Sequence, residues 1–81
     1  MKIFSVLDTK ADAYMMPICC ATAGVALRSF EDSVNDGTSP FYKHPEDYIL
    51  FEVGSFDEAT GIVTPTMSEP VARGVDLVKE K

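Results

Sequence analysis

Two segments of the chain carry apolar side chains on both alternating sets of positions. They are Lys2–Asp8 and Tyr48–Phe56, and both are rich in β-branched and aromatic residues. Successive side chains of a strand point to opposite faces of its sheet, so a strand with one face in water would be polar at every second position. We therefore expect Lys2–Asp8 to be an inner strand of a sheet, and Tyr48–Phe56 is the clearest strand prediction of the chain.

One helix is predicted between these strands. Thr22 is a suitable N-cap, and apolar residues recur with helical spacing up to Val34. Asn35 to Gly37 are stop signals, and Gly37 can adopt the left-handed conformation that often ends a helix. We expect the apolar stripe to lie on one sheet face through Ala26, Leu27 and Phe30.

Two further segments complete the predicted sheet. Ala13–Cys20 is expected to be extended, and Pro17 places it at a sheet edge or a bulge. Asp57–Gly61 has the composition of a turn, so the chain should return as a hairpin from Ile62. The pattern predicts an α+β fold, in which one main helix packs on one face of a mostly antiparallel sheet of about four strands, in the order ββαββ.

The chain has 81 residues, which fits one small domain over 1–81. Its last part, 66–81, has the weakest pattern. Val71, Val75 and Val78 have helical spacing, but Gly74 weakens a helix and Val75 also alternates with Leu77. We expect this part to be either flexible or a short helix.

A single helix covers only one face of the predicted sheet. We assign Phe4, Val6, Tyr48 and Leu50 to the uncovered face. A large apolar patch is rarely left in water, so we expect this face to pack against its copy in a symmetric homodimer. The C-terminal segment folding back over the patch is the alternative.

Charge and cysteine content bear on partners and compartment. The net charge is −6, which disfavours nucleic acid unless the few cations gather on one face. Cys19 and Cys20 are neighbours that point to opposite sides of a strand, and free thiols fit a reducing cytoplasm. The uncharged stretch Ala13–Leu27 is too short to span a bilayer, so no membrane contact is expected.

The segment Thr38–Asp47 holds most of the candidate contact residues. Pro40 and Pro45 predict an irregular, partly rigid loop. Its two aromatic residues either cover the small core or contact a partner. The aromatic, cationic and imidazole side chains that we consider for contact with a partner or with DNA are Arg28, Phe41, Tyr42, Lys43, His44 and Tyr48.

The sequence predicts no catalytic site. His44 is the only histidine, it lies in no nucleophile motif, and a lone loop histidine is more often solvated than catalytic. The glycines form no phosphate-binding motif, and one histidine without a C-x-x-C pair does not predict a metal site. We therefore expect a non-enzymatic protein without a cofactor.

Three segments together resemble a known family. They are Met1–Ala11, Ala26–Phe30 with Val34–Asp36, and Lys43–Asp57. In these segments the chain resembles the small non-structural protein of gokushoviruses, a microvirus subfamily of single-stranded DNA phages. The likeness runs from Met1 to about Gly61, and Lys43–Asp57 is its most specific part.

This resemblance implies a function but no catalytic residues. It implies a non-virion accessory protein in the cytoplasm of the infected bacterium, acting in the switch from duplex copies to single-stranded genomes for packaging. The implied partners are the viral replication initiator complex, single-stranded DNA, or both. The acidic charge favours a basic protein surface. The alternative is a single-stranded DNA-binding module, in which Tyr42 and Tyr48 stack on bases while Arg28 and Lys43 contact phosphates.

Overall fold

A five-stranded antiparallel sheet with its helices on one side forms the fold. The computed structural model describes residues 1–79. The strands are β1 (Lys2–Asp8), β2 (Ala13–Tyr14), β3 (Ile18–Cys20), β4 (Tyr48–Phe56) and β5 (Val63–Arg73). The α-helices are α1 (Ala23–Val34) and α2 (Pro40–Lys43), and 3₁₀ helices span Pro45–Asp47 and Gly74–Leu77. β1 and β4 lie in the middle, β5 forms one edge, and β2 and β3 share the other. The predicted α+β fold is confirmed.

The second extended segment of the prediction forms two short strands rather than one. Tyr14 and Ile18 are four positions apart, but they pair with β1 residues only three positions apart. The extra residue is a β-bulge, and it occurs beside Pro17, which has no N–H to donate to the sheet. The Ser5 hydroxyl donates a hydrogen bond of 2.6 Å to the carbonyl oxygen of Met15 and so fixes the bulge.

Helix α1 forms where its sequence pattern places it. The Thr22 side chain accepts a hydrogen bond of 3.2 Å from the backbone N–H of Val25, which makes Thr22 the N-cap as predicted. Ala26 and Phe30 are buried, and Leu27 is half-buried. No helix among residues 1–79 is both long and apolar enough to cross a bilayer.

The core lies between the helices and a single face of the sheet. Its buried side chains come from β1, β4, α1 and α2; they are Phe4, Ala26, Phe30, Val34, Phe41 and Leu50. Leu77 of the second 3₁₀ helix packs against the same cluster. All the helical elements that contribute to this core therefore lie on one face of the sheet.

The expectation that Phe4, Val6, Tyr48 and Leu50 form the uncovered face is wrong. Phe4 and Leu50 are 0% and 1% exposed, and Val6 and Tyr48 pack against them. Both faces of β1 and β4 are apolar, so strand alternation alone does not determine which face the helix covers. The homodimer that we predicted cannot use these four side chains, because the chain's own helices cover them.

The segment Thr38–Asp47 is more regular than the predicted loop. It contains α2 and the first 3₁₀ helix. The Ser39 hydroxyl accepts a hydrogen bond of 3.0 Å from the N–H of Phe41, and Pro40 occupies the first turn of α2. Proline fits that position because its missing N–H would have no partner within the helix.

The C-terminal part differs from the helix that its valine spacing suggested. β5 continues through Arg73 along the free edge of β4, and the 3₁₀ helix Gly74–Leu77 follows. Pro65 and Pro70 do not prevent this, because β5 is an edge strand. Residues 80 and 81 of the segment predicted as flexible or helical lie outside the described residues.

Asn35 ends α1 and ties the C-terminal segment to it. Its side-chain amide donates hydrogen bonds to the carbonyl oxygens of Glu31 and Leu77, at 2.9 and 3.0 Å. Its side-chain oxygen accepts a hydrogen bond of 2.8 Å from the N–H of Lys79. The helix thus ends at the first of the three predicted stop residues, and Gly37 does not adopt the left-handed conformation that its residue type allows.

Asn35→Ala should loosen the C-terminal segment. The exposed Lys79 N–H would lose its partner, and so would the partly buried Leu77 carbonyl, for which an unsatisfied group costs about 1–3 kcal/mol. We expect that loss in urea unfolding, together with faster hydrogen exchange at the Lys79 amide. Thr38→Ala is the control, because it removes only an exposed hydrogen bond to Asp36. An unchanged Lys79 exchange rate in Asn35→Ala would contradict the assigned role.

Candidate functional site

The six candidate contact residues lie in two different environments. Arg28 on α1, and Lys43 and His44 at the end of α2, are exposed. Phe41 is buried, and Tyr42 and Tyr48 are half-buried. The set therefore divides into three exposed side chains and three aromatic side chains that are buried or half-buried.

Phe41 and Tyr48 are parts of the core. The Phe41 ring centre lies 5.4 Å from that of Phe30 and 4.6 Å from that of Tyr48. Phe41 therefore packs within the core, and its ring occupies one side of the Tyr48 ring. Of the two interpretations of the loop aromatics, covering the core is the one that the structure gives for Phe41.

Tyr48 also lies at an acidic end of the sheet. Partial burial raises the pKa of its hydroxyl above the ordinary value, and the carboxylates of Asp8 and Asp47 raise it further. Each of these effects disfavours the phenolate in the folded protein.

Stability should therefore fall in alkali partly through Tyr48. The unfolded chain ionises this group near its ordinary pKa of about 10, whereas the folded chain holds the proton to higher pH. The stabilisation is fully present below the unfolded pKa of about 10, and it is lost as the pH rises from there through the higher folded pKa. Urea midpoints measured between about pH 9 and pH 11 should fall less in Tyr48→Phe than in the wild type. An identical fall in both proteins would contradict this.

His44, Glu46 and Asp47 bring three possible metal ligands together. One ligand atom from each lies within 4.8 Å of the others. The His44 Nδ1 atom is 3.6 Å from a carboxylate oxygen of Glu46, and both side chains are more than half exposed. An imidazole with two carboxylates can hold a divalent cation. Water solvates these exposed groups equally well, so their geometry alone does not make a metal site.

An apolar pocket lies between α1 and the bulged edge of the sheet. We call it the α1 pocket, and its volume is about 240 Å³. Its lining residues are Phe4, Ser5, Val6, Met15, Met16, Ile18, Ala26, Ser29, Phe30, Ser33, Phe41 and Leu50. None of them is charged. Two methionines of the bulge contribute to the lining, and Met16 is 86% exposed.

The other face of the sheet is without a helical layer among the described residues. We call it the open face. Cross-strand pairing places eleven residues on it, of which Ser5 is buried: Ile3, Ser5, Leu7, Tyr14, Cys19, Ile49, Phe51, Gly54, Pro65, Pro70 and Arg73. The rings of Tyr14 and Phe51 meet edge to face, with their centres 5.7 Å apart. The open face is thus a mainly apolar surface with one cation.

Sequence reasoning missed the α1 pocket, and it predicted an uncovered sheet face but assigned the wrong residues to it. The α1 pocket depends on how a bulge at Pro17 spaces Met15 and Met16 from α1, and local patterns do not report that distance. For the open face, a signal was present in the alternation of apolar residues along β1 and β4. That alternation identified the two faces without showing which of them the helix covers.

A family of phage proteins matches the chain. The family model described as Phage ORF5 protein matches residues 1–77, which is nearly the full length. No curated protein and no solved structure matches it. The matched residues include β5 and the 3₁₀ helix after it, so they extend beyond the part of the chain in which the gokushovirus likeness was seen.

Proposed function

The chain belongs to the Phage ORF5 protein family, and from this premise we propose that it is a non-structural accessory protein of a gokushovirus. It regulates viral genome replication or packaging, in the switch to single-stranded DNA synthesis, by binding the replication complex. It acts in the cytoplasm of the host bacterium without being part of the virion. It is not an enzyme, and it works through contact alone.

The α1 pocket is the observation that supports a protein partner. Its volume of about 240 Å³ lies below the roughly 300–1,000 Å³ of most small-molecule sites. It is suited to one or two apolar side chains, and binding energy at protein interfaces is concentrated where such anchors enter pockets. Methionines adapt readily to the shape of an inserted group.

The charge of the chain indicates which kind of segment would enter. The net charge is −6, while the pocket lining itself is uncharged. A partner segment with an apolar anchor between basic residues satisfies both features, because its cations are attracted to the net negative charge of the chain. Proteins that handle DNA carry such basic surfaces. The partner that we propose is therefore a basic segment of the replication initiator complex.

Capture from infected cells tests this function. Tagged protein should recover the initiator after nuclease treatment of the lysate. Met16→Glu should reduce that recovery at least tenfold, because it places a carboxylate at the mouth of an apolar pocket. Met67→Glu is a matched control: Met67 has the same 86% exposure, but it lies on β5 and does not line the pocket.

The same experiment separates direct contact from the single-stranded DNA alternative. Recovery of the initiator only while DNA is intact would mean that DNA bridges the two proteins. Equal losses in Met16→Glu and Met67→Glu would mean that the α1 pocket is not the specific site of contact. Either result would contradict the proposed mode of contact.

A further inference from the structure

We propose that the open face is the contact surface of a symmetric dimer, in which the open face of a second copy of this chain covers it. The helices fill the opposite face, so the two sheets would pack face to face with the helices outside. This proposal concerns a different surface from the α1 pocket and does not depend on the proposed function.

The distribution of charge within the sheet is the first observation that supports a second copy. The five strands contain three carboxylates, on Asp8, Glu52 and Glu69. Cross-strand pairing places all three on the face that carries the helices: Asp8 pairs with Tyr48, and Glu52 pairs with both Phe4 and Glu69. Two chains of net charge −6 repel each other, and they can approach only where neither presents carboxylates. The open face meets that condition.

The area of the open face is the second observation. Four strands about 4.8 Å apart, each taken to be as long as β1 at about 24 Å, give the sheet a flat projected area of roughly 450 Å². A standard interface takes about 800 Å² of accessible surface from each partner, and weak interfaces take less. Side chains protrude from the sheet, so the accessible surface area of the face is larger than this flat projected area. The open face is therefore large enough for a weak dimer.

The shape of the open face also suits a copy of itself. Its centre is Phe51 with Tyr14 against it, and Leu7 pairs with Tyr14 on the same face. Twofold symmetry brings the same apolar centre of each chain together, while Arg73 lies on the edge strand β5. Arg73 is the only cation among the open-face residues, too few for a surface that holds a phosphate backbone. The observations thus favour a second copy over nucleic acid.

Sedimentation equilibrium of the full chain tests the proposal. From about 1 μM to about 500 μM, the mass should rise from 8.9 kDa toward twice that value. Phe51→Arg and Tyr14→Arg should each leave a monomer with unchanged circular dichroism. Tyr14 is 51% exposed, so its variant should fold even if Phe51→Arg does not. Val25→Arg introduces the same charge at an equally exposed site on α1 and should leave the dimer intact.

The response to salt separates the possible occupants of the open face. Screening reduces repulsion between two acidic chains, so salt should strengthen the dimer, whereas salt weakens binding to nucleic acid. A mass of 8.9 kDa at every concentration would overturn the proposal. So would a dimer that persists in both Tyr14→Arg and Phe51→Arg. A monomer that binds a labelled single strand at low salt, and loses it in Tyr14→Ala, would assign the face to DNA instead.

Discussion

Phe30→Ala should lower the free energy of unfolding by about 3–5 kcal/mol, as expected for removing a buried aromatic ring. Phe30 is 4% exposed and lies edge to face with Phe41. Alanine at this position loses the transfer free energy of the ring and leaves a cavity between α1 and the sheet. Small domains have total stabilities of only about 5–15 kcal/mol, so a large fraction of the variant should be unfolded under mild conditions.

Urea unfolding followed by far-ultraviolet circular dichroism measures this loss. Val25→Ala is the matched control, because Val25 lies on the same helix but is 52% exposed. A surface substitution of that kind usually changes stability by less than about 0.5 kcal/mol. A Phe30→Ala midpoint close to that of Val25→Ala would refute the packing of α1 on the sheet.

Gly74→Ala should be the most damaging substitution of a single small residue. Gly74 is buried at the start of the second 3₁₀ helix, where the chain passes the backbone of Pro45. An alanine Cβ atom would lie only 2.5 Å from the Pro45 carbonyl oxygen. Because that atom belongs to the backbone, one of the two 3₁₀ helices must move. We expect a loss of about 1–3 kcal/mol, the usual cost of overpacking.

Gly37→Ala provides a control with the opposite expected sign. No atom lies within 4 Å of the Cβ position at Gly37, and its φ is not positive. Alanine there restricts the unfolded chain, which stabilises a protein by about 0.4–1 kcal/mol. The two variants should therefore shift the urea midpoint in opposite directions. Equal midpoints would show that the close approach of Gly74 to the Pro45 backbone does not affect the free energy of unfolding.

Local signals in the sequence predicted the elements whose formation is local. Thr22 identified the start of α1 because an N-cap acts on the N–H groups of the next turn. Gly61 identified the hairpin turn, and it is the one glycine among residues 1–79 with positive φ, at 75°. In both cases the deciding interactions lie within a few residues of the signal.

The secondary structure of the C-terminal segment depends instead on pairing with β4, which is distant in sequence. Val71 and Val75 have helical spacing, but β4 has a free edge whose backbone groups need hydrogen-bond partners, and β5 supplies them as far as Arg73. Pairing of this kind overrides a weak helical pattern that Gly74 already interrupts. The sequence of the segment alone does not contain that information.

The candidate contact residues show a related difficulty. Phe41 and Lys43 are close in sequence, yet one is buried and the other exposed. Residue type suggested that both could contact a partner, whereas their different exposure follows from the position of α2 over the core. The α1 pocket and the open face depend on packing between elements, and neither belongs to a motif.

The two prolines of β5 affect how the protein behaves when it is abundant. An edge strand with free N–H and C=O groups is a template on which further copies can add as strands, and such addition has no natural end. The N–H of Asp57 donates to the carbonyl oxygen of Ile62 in β5's direction, whereas the N–H of Phe56 donates to Met1 on the opposite side. Hydrogen-bonded and non-hydrogen-bonded pairs alternate along an antiparallel ladder. Pro65, opposite Gly54, therefore occupies a non-hydrogen-bonded pair, and its nitrogen points away from β4. That position on the outer edge has no N–H to offer an incoming strand. With Pro70 also in the strand, we expect β5 to be a poor template for adding further strands at high concentration.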